Sequence, residues 1–410
     1  MKLTKRILLI LALTIIYIYV CNISMLPNSI ILMQGENLNL NTIFGLNISS
    51  EAMQASSNLN HSIVQETGAM NVSLNLFNLF PVKDMTVNVI PETTVIPLGK
   101  AIGMKLYTDG VLVVGMSEIQ GEKPYEGSGI EAGDTIIEID NKKISTTEEL
   151  IECVNSSNGK SVEIKYISDE QEKTANIEPA KDTDNEYKLG LWVRDAAAGV
   201  GTLTFYEPST GNFAALGHGI NDVDTFELIQ IANGELVTTN ILDIVKGKNG
   251  SPGEIRGSID NCITLGKINK NTSLGIYGNI TNAARLNINN SKELEVANRS
   301  EIKTGKAEIM CELENGKIET YEIEIQKIFP ENNHDNKSML IKVTDDKLIE
   351  KTGGIIQGMS GAPIIQNGKF IGAVTHVLVN DSKTGYAVFA DMMIKQMREV
   401  NWWRIIKDFR

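Results

Sequence analysis

The chain of 410 residues has few of the residues that usually announce a metal or redox enzyme. It has four histidines (His61, His218, His334 and His376) and no His-Glu-x-x-His pair, so no zinc site is expected. It has four cysteines (Cys21, Cys153, Cys262 and Cys311), none in a Cys-x-x-Cys pair. Cys21 lies in an apolar run, and nothing in the spacing of the other three demands a disulfide. Positive charge is also scarce. The 38 Lys and Arg are outnumbered by 51 Asp and Glu, for a net charge of −13. That balance excludes the basic footprint a nucleic-acid partner needs to displace counterions. Long apolar runs are missing after the first 26 residues. No cofactor is expected.

The exception is the N-terminus. Lys2, Lys5 and Arg6 precede an uncharged apolar run of 20 residues, Ile7 to Leu26, and the next charge is Glu36. Such a run can cross a bilayer core of about 30 Å. Basic residues on its N-terminal flank keep that end in the cytoplasm and export the rest. A cleaved signal peptide is the competing reading, but no clear small-x-small site follows, so an uncleaved anchor over 1–33 is expected, with the bulk of the chain outside the cytoplasm.

At this length more than one domain is expected. Residues 34–97, rich in Asn and Ser and punctuated by Pro81, Pro91 and Pro97, read as a loosely packed stalk, although Asn71 to Phe80 alternates as a strand would. Residues 98–180 read as one compact unit. It has strands at Ala101–Leu106, Val111–Gly115, Thr135–Ile139 and Val162–Ile167, and one helix opened by a capping box, Ser145/Glu148 or Thr146/Glu149. From 181 to 391 many short strands alternate with Gly and Asn turns, the pattern of a β-barrel or sandwich. A helix at the C-terminus is expected to close it.

Two motifs carry chemistry. Gly358-Met359-Ser360-Gly361-Ala362-Pro363 frames a serine with glycines, which allow a tight turn and leave the hydroxyl accessible. In peptidases with this pattern the N–H groups of the serine and of the residue two before it form an oxyanion hole, here Gly358 and Ser360. The Asn367-Gly368 dipeptide predicts a hairpin immediately afterwards. An α/β-hydrolase elbow would instead be followed by a helix, which disfavours that fold. The base expected for Ser360 is His218, between Gly217 and Gly219; His376 is the rival, 16 residues past the serine. The spacing does not choose an acid among Asp345, Asp346, Asp222 and Asp243.

Two resemblances follow from these residues. Ser128-Gly129-Ile130-Glu131-Ala132-Gly133-Asp134 with Thr135–Asp140 resembles the core of a PDZ domain. That likeness implies peptide capture by strand addition, with Ile102, Gly103 and Met104 in the place of the carboxylate-binding loop. Leu189-Gly190-Leu191-Trp192-Val193-Arg194-Asp195, Ala215–Ile220 and Glu350–Gly361 are similar to the stage IV sporulation protein B peptidases of endospore formers. This resemblance implies a mainly β chain: transmembrane helix, PDZ domain, then a trypsin-like (chymotrypsin-type) β-barrel peptidase domain over 181–410. It further implies a His218–Asp345–Ser360 triad and a place in the forespore membrane facing the intermembrane space. The implied partner is a membrane-protein regulator of pro-sigma-factor processing, cleaved along with the enzyme itself. Met359 stands where digestive relatives carry the aspartate that pairs with a freed N-terminus, so that activation route is closed. Two other readings compete: a catalytically silent, membrane-anchored PDZ scaffold, and an HtrA-like envelope quality-control protease. The second places its PDZ domains after the peptidase, the reverse of the order here.

Overall fold

A computed structural model describes residues 2–26, 28–36, 46–49, 67–76, 80–288, 291–329 and 336–407. His61 and His334 lie outside the described residues.

The chain opens with helix α1 (Lys2–Met25). Among its described side chains, Ile7, Ile10, Leu11, Leu13, Ile15, Ile16, Tyr17, Ile18 and Val20 are exposed. Among the described residues, no helix is long and apolar enough to cross a membrane. The expected stalk is in part a folded sheet. Strands β1 (Ser29–Met33), β2 (Leu46–Ser49), β3 (Gly68–Leu76) and β4 (Phe80–Ile90) pair in the order β1-β4-β3-β2. Alternation in β3 and β4 buries Val72, Leu74, Met85, Val87 and Val89 on one face, so a region poor in long apolar runs still builds a small core.

The domain boundary expected at residue 98 falls inside a strand. β5 (Thr94–Met116) runs for 23 residues without a break. The two strands expected on either side of Asp109-Gly110 are one, kinked at Gly110. There φ is +113° and a Cβ would lie 2.5 Å from the Ile136 carbonyl oxygen, so only glycine fits. After β5 come β6 (Thr135–Ile139), the short β7 (Lys142–Lys143), helix α2 (Thr147–Ser156), β8 (Val162–Ser168) and β9 (Gln171–Ile177). Thr146 caps α2 and Glu149 completes the box, one of the two pairs the sequence offered. The half of β5 after Gly110 joins these elements around Val111, Val113, Ile136, Leu150, Val154 and Ile164. A two-stranded ladder of β10 (Ala180–Lys181) and β11 (Tyr187–Lys188) ends the unit.

The other half of β5 belongs to a barrel. β12 (Leu191–Glu207), β13 (Asn212–Ala215), β14 (Ile231–Val245), β15 (Glu254–Thr272) and β16 (Gly275–Ile280) pair in the order β12-β13-β16-β15-β14-β5. A further β12–β5 pairing closes the ring. Leu98, Ile102, Met104, Leu203, Phe213 and Leu236 are among the residues that fill it. The PDZ-like unit is therefore inserted between the first and second strands of this barrel. β5 and β12 are the strands that enter and leave it.

The short β17 (Leu294–Glu295) pairs with the start of β5. A second closed barrel follows: β18 (Gly305–Glu314), β19 (Lys317–Ile328), β20 (Met339–Val343), β21 (Pro363–Gln366), β22 (Lys369–Leu378) and β23 (Asp381–Phe389), with helix α3 (Asp346–Thr352) after β20. The expected Asn367-Gly368 turn joins β21 to β22, both residues at positive φ. Helix α4 (Ala390–Lys407) buries Met393, Ile394 and Met397 against this barrel's core. Cys311 is buried there too, and burial pushes its thiol up to about 12, which makes it unreactive. Cys21, Cys153 and Cys311 are free thiols.

Candidate active site

The two barrels meet where Thr202, in the later part of β12, touches the turn that holds Ser360. The Thr202 N–H donates to the Ser360 carbonyl (3.2 Å), and the Thr202 hydroxyl donates to the Gly358 carbonyl (2.6 Å). The Ser360 turn is thereby fastened to the first barrel on both sides of Met359, which is itself fully buried. Glycines 358 and 361 have φ near +95°. At Gly361 a Cβ would stand 2.4 Å from the Thr202 carbonyl oxygen and 2.6 Å from the Leu216 nitrogen, so the turn can press against the first barrel only without a side chain.

This fastening leaves two donors open. Among the described residues, the N–H groups of Gly358 and Ser360 have no hydrogen-bond partner, whereas those of Met359 and Gly361 are bonded to Ile356 and Val374 carbonyls. These are the two positions the sequence marks for an oxyanion hole. The peptide planes that carry these two N–H groups are held through their carbonyls, Gln357 by the Ile255 N–H (2.8 Å) and Met359 by the Ala362 N–H (2.9 Å). Thr202 is buried and was not signalled by the sequence, since a threonine inside a strand pattern carries no mark of function.

His218 follows β13 and lines the same cleft as Ser360, a cavity of about 630 Å³ that also touches Gly358, Thr375 and His376. Its Nδ1 lies 2.8 Å from the Gly219 carbonyl oxygen. A carbonyl can only accept, so Nδ1 carries the proton and Nε2 is left as the basic nitrogen. Burial lowers the His218 pKa from the ordinary histidine value, because the charged ring would lose hydration; the Gly219 bond opposes this in part. The Ser360 hydroxyl donates to the Thr375 carbonyl at 2.7 Å and not to the imidazole. His376, the rival base, is the next residue after Thr375, and its ring stacks on that of His218 with centroids 4.8 Å apart. Its pKa is lowered to about 4 by desolvation, then by the charges of His218 and Lys337, although part of the side chain stays open to solvent.

Two expected assignments are corrected by the structure. Asp345 is not brought to His218. It caps α3, with its carboxylate accepting from the N–H groups of Lys347 (2.9 Å), Leu348 (3.1 Å) and Glu322 (3.3 Å). The residue follows β20 by two positions and opens the helix at once, so its oxygens meet the helix's own unsatisfied donors first. It is not among the residues lining the cleft, and His218 takes the Gly219 carbonyl in place of a carboxylate. Of the other acids considered, Asp222 pairs with Arg194 and binds the N–H groups of Asp224 and Thr225, and Asp243 is exposed on β14.

The second correction concerns Ile102, Gly103 and Met104. They form no loop. They sit in the middle of β5, paired with Gly201, Val200 and Gly199 on one side and with Thr238, Val237 and Leu236 on the other. A strand with both edges filled cannot accept a peptide. Met104 instead reaches the wall of the cleft that holds Ser360 and His218. The open groove of the PDZ-like unit, about 550 Å³, lies between α2 (Leu150, Ile151, Val154) and Leu189–Val193 at the start of β12. β12 pairs there with β5 through Leu191↔Met116. The sequence pattern pointed to β5 in place of its sheet neighbour β12, because Ile102-Gly103-Met104 and Leu189-Gly190-Leu191 both show glycine flanked by apolar residues. Which of them borders α2 is decided by the barrel, which takes the first. No group of three or more His, Cys, Asp or Glu capable of holding a metal occurs among the described residues.

The family model for the SpoIVB peptidase S55 matches residues 185–394, and that for the PDZ domain matches 98–178. Among solved structures, the PDZ domain of an SdrC-like protein from Listeria innocua is 31% identical over 21% of this chain and 94% of its own, with a TM-score of 0.19. The corresponding Listeria monocytogenes domain is 26% identical over 21% and 87%, with a TM-score of 0.18. The active form of the Rv3671c protease from M. tuberculosis is 13% identical over 50% of this chain and 74% of its own, at a TM-score of 0.28. The peptidase match spans both site motifs and half of the sequence: the chain belongs to the SpoIVB peptidase S55 family and is a serine peptidase carrying a PDZ domain.

Proposed function

We propose that Ser360 is the nucleophile and His218 the general base of an endopeptidase, and that the N–H groups of Gly358 and Ser360 hold the oxyanion. The observation that supports this most strongly is the pair of unpartnered N–H groups beside a hydroxyl and a neutral imidazole in one cleft. In the reaction the Ser360 hydroxyl exchanges its bond to Thr375 for one to His218 Nε2. Its oxygen attacks the scissile carbonyl as the proton passes to the imidazole, and the carbonyl oxygen takes up negative charge between the two N–H groups. The C–N bond breaks with proton return to the amine. Water, activated by the same nitrogen, then releases the acyl group. The Gly219 carbonyl holds the tautomer, the task a carboxylate performs in a triad.

We further propose that the enzyme is tethered by α1 and acts on a membrane-protein regulator, and on itself, in the space between the forespore and mother-cell membranes. Family membership supports the substrate class and setting. The belt of exposed apolar side chains on α1, costly to leave in water, supports the tether.

A fluorophosphonate probe tests the nucleophile. Wild type should label covalently at Ser360, and Ser360→Ala and His218→Ala should not. Labelling that persists in Ser360→Ala would refute the assignment.

A further inference from the structure

β12 passes both the PDZ groove and the catalytic cleft. Its end beyond Thr202 pairs with β13, and its whole length pairs with β5. Between Leu191 and Gly201 no strand among the described residues pairs with its other edge. That edge faces the site: the main chain of Thr202 is bonded on this side, to the Ser360 carbonyl and the Leu216 N–H. The register with β5 is unbroken from Ala196 to Leu203, so alternation turns the N–H and C=O of Val200 and Ala198 to the same side. Neither residue has a further main-chain partner among the described residues, and both line the cleft. At the other end, the Gly190 carbonyl bonds Ser117, so Leu191 turns its main chain toward the groove beside α2. Side chains on this edge near the cleft are small (Ala197, Ala198, Gly199), which leaves room for an incoming chain.

Both ends are held to the same strand. The Arg194 guanidinium pairs with Asp222 and Asp224 in the loop after His218, and the Asp195 carboxylate accepts the Thr147 N–H at the start of α2. The cleft wall and the groove wall are therefore anchored to adjacent residues of one strand.

We propose that the substrate docks as an added strand on this edge, with the segment C-terminal to the scissile bond running from the cleft to the PDZ groove. This rests on Ser360 being the nucleophile. Addition antiparallel to β12, the sense of both its existing neighbours, sends the chain from Val200 toward Leu191 and fixes which side of the cut reaches the groove. The path from Val200 to Leu191 is nine residues, or about 30 Å of extended chain. The occupant is an extended, proline-free polypeptide with roughly eight to ten residues after the cut, ending in an apolar side chain against Leu150, Ile151 and Val154.

The test uses the full chain and a synthetic pool of 16-residue peptides with randomised positions. Binding to Ser360→Ala protein, read by retention and mass spectrometry, does not require catalysis. Ala198→Pro, added to that background, deletes an open N–H without breaking a sheet bond. Ile151→Asp, on an exposed groove wall position, charges the far end. Each should weaken retention of the same peptides by about tenfold or more. Cleavage of the pool by wild type should leave C-terminal products of about eight residues or longer. Both variants should keep a urea midpoint close to wild type, so that weaker retention reports the edge and the groove and not unfolding. The proposal is overturned if Ala198→Pro leaves retention unchanged, if the two variants affect different peptides, or if cleavage two residues from a C-terminus is as efficient. Loss of labelling specificity at Ser360 with retention behaving as expected would instead overturn the nucleophile assignment alone.

Discussion

Replacing Asp345 by asparagine separates two roles that alanine would confuse. In the structure Asp345 is a helix cap: one oxygen accepts from Lys347 and Leu348, the other from Glu322. Asparagine keeps a carbonyl oxygen able to accept the first two bonds and is as good a cap as aspartate. It loses the charge at the helix N-terminus and the bond from Glu322, together worth about 0.5–1 kcal/mol. Asp345→Ala loses all three bonds and should cost about 1–2 kcal/mol. Neither change reaches His218, whose Nδ1 is held by Gly219. The expected outcome for Asp345→Asn is a urea midpoint close to wild type and kcat/KM within about threefold. A carboxylate orienting the imidazole gives a different result, since its replacement by asparagine costs about 10⁴ in kcat. Urea unfolding and fluorophosphonate labelling rates on the same preparations decide between them. An Asp345→Asn protein of undiminished stability that labels a thousandfold more slowly would refute the reasoning and put the carboxylate back in the triad.

Other expectations follow from the same contacts. Thr202→Val removes the hydroxyl that holds the Gly358 carbonyl; kcat should fall about 10- to 100-fold with KM little changed, measured on a peptide identified from the pool. Gly361→Ala places a Cβ 2.4 Å from a backbone oxygen at φ +94° and should destabilise the protein by about 3 kcal/mol or more, read by urea unfolding, with labelling lost. The pH profile follows from the lowered His218 pKa. The neutral, basic form persists on acidification past the ordinary value of about 6.5, so kcat/KM should stay level to that point and fall only below it. The same sign governs stability. Below about 6.5 an unfolded chain binds protons that His218 and His376 refuse in the native state, so stability is lost as pH falls from there toward about 4. A urea midpoint that rises over this window would contradict both assignments. His376→Phe keeps a ring against His218 while removing the second titrating group; it should leave activity at pH 7 within a few-fold and change only the acid limb of the profile.

Much of this molecule is written locally. Glycines around Ser360 and His218, an Asn-Gly turn after the serine, a Thr-x-x-Glu box before a helix and an uncharged run behind basic residues act over a few positions, where steric freedom, capping and hydrophobicity are properties of the residues themselves. The folding of β3 and β4 was only half legible, because alternation marks a strand but not the partner that gives it a core.

What the tertiary structure alone decided is which strand goes where. Ile102-Gly103-Met104 and Leu189-Gly190-Leu191 are interchangeable as local patterns. The first enters the barrel because pairing on both edges buries Ile102 and Met104 completely or nearly so, and this leaves the second beside α2. Asp345 likewise could have faced any neighbour, and the helix it opens claimed its oxygens first. Sequence by itself determined the chemical groups and the turns that present them. Partners distant along the chain were chosen by closure of the barrels, since a strand's burial depends on both of its neighbours and not on its own residues alone.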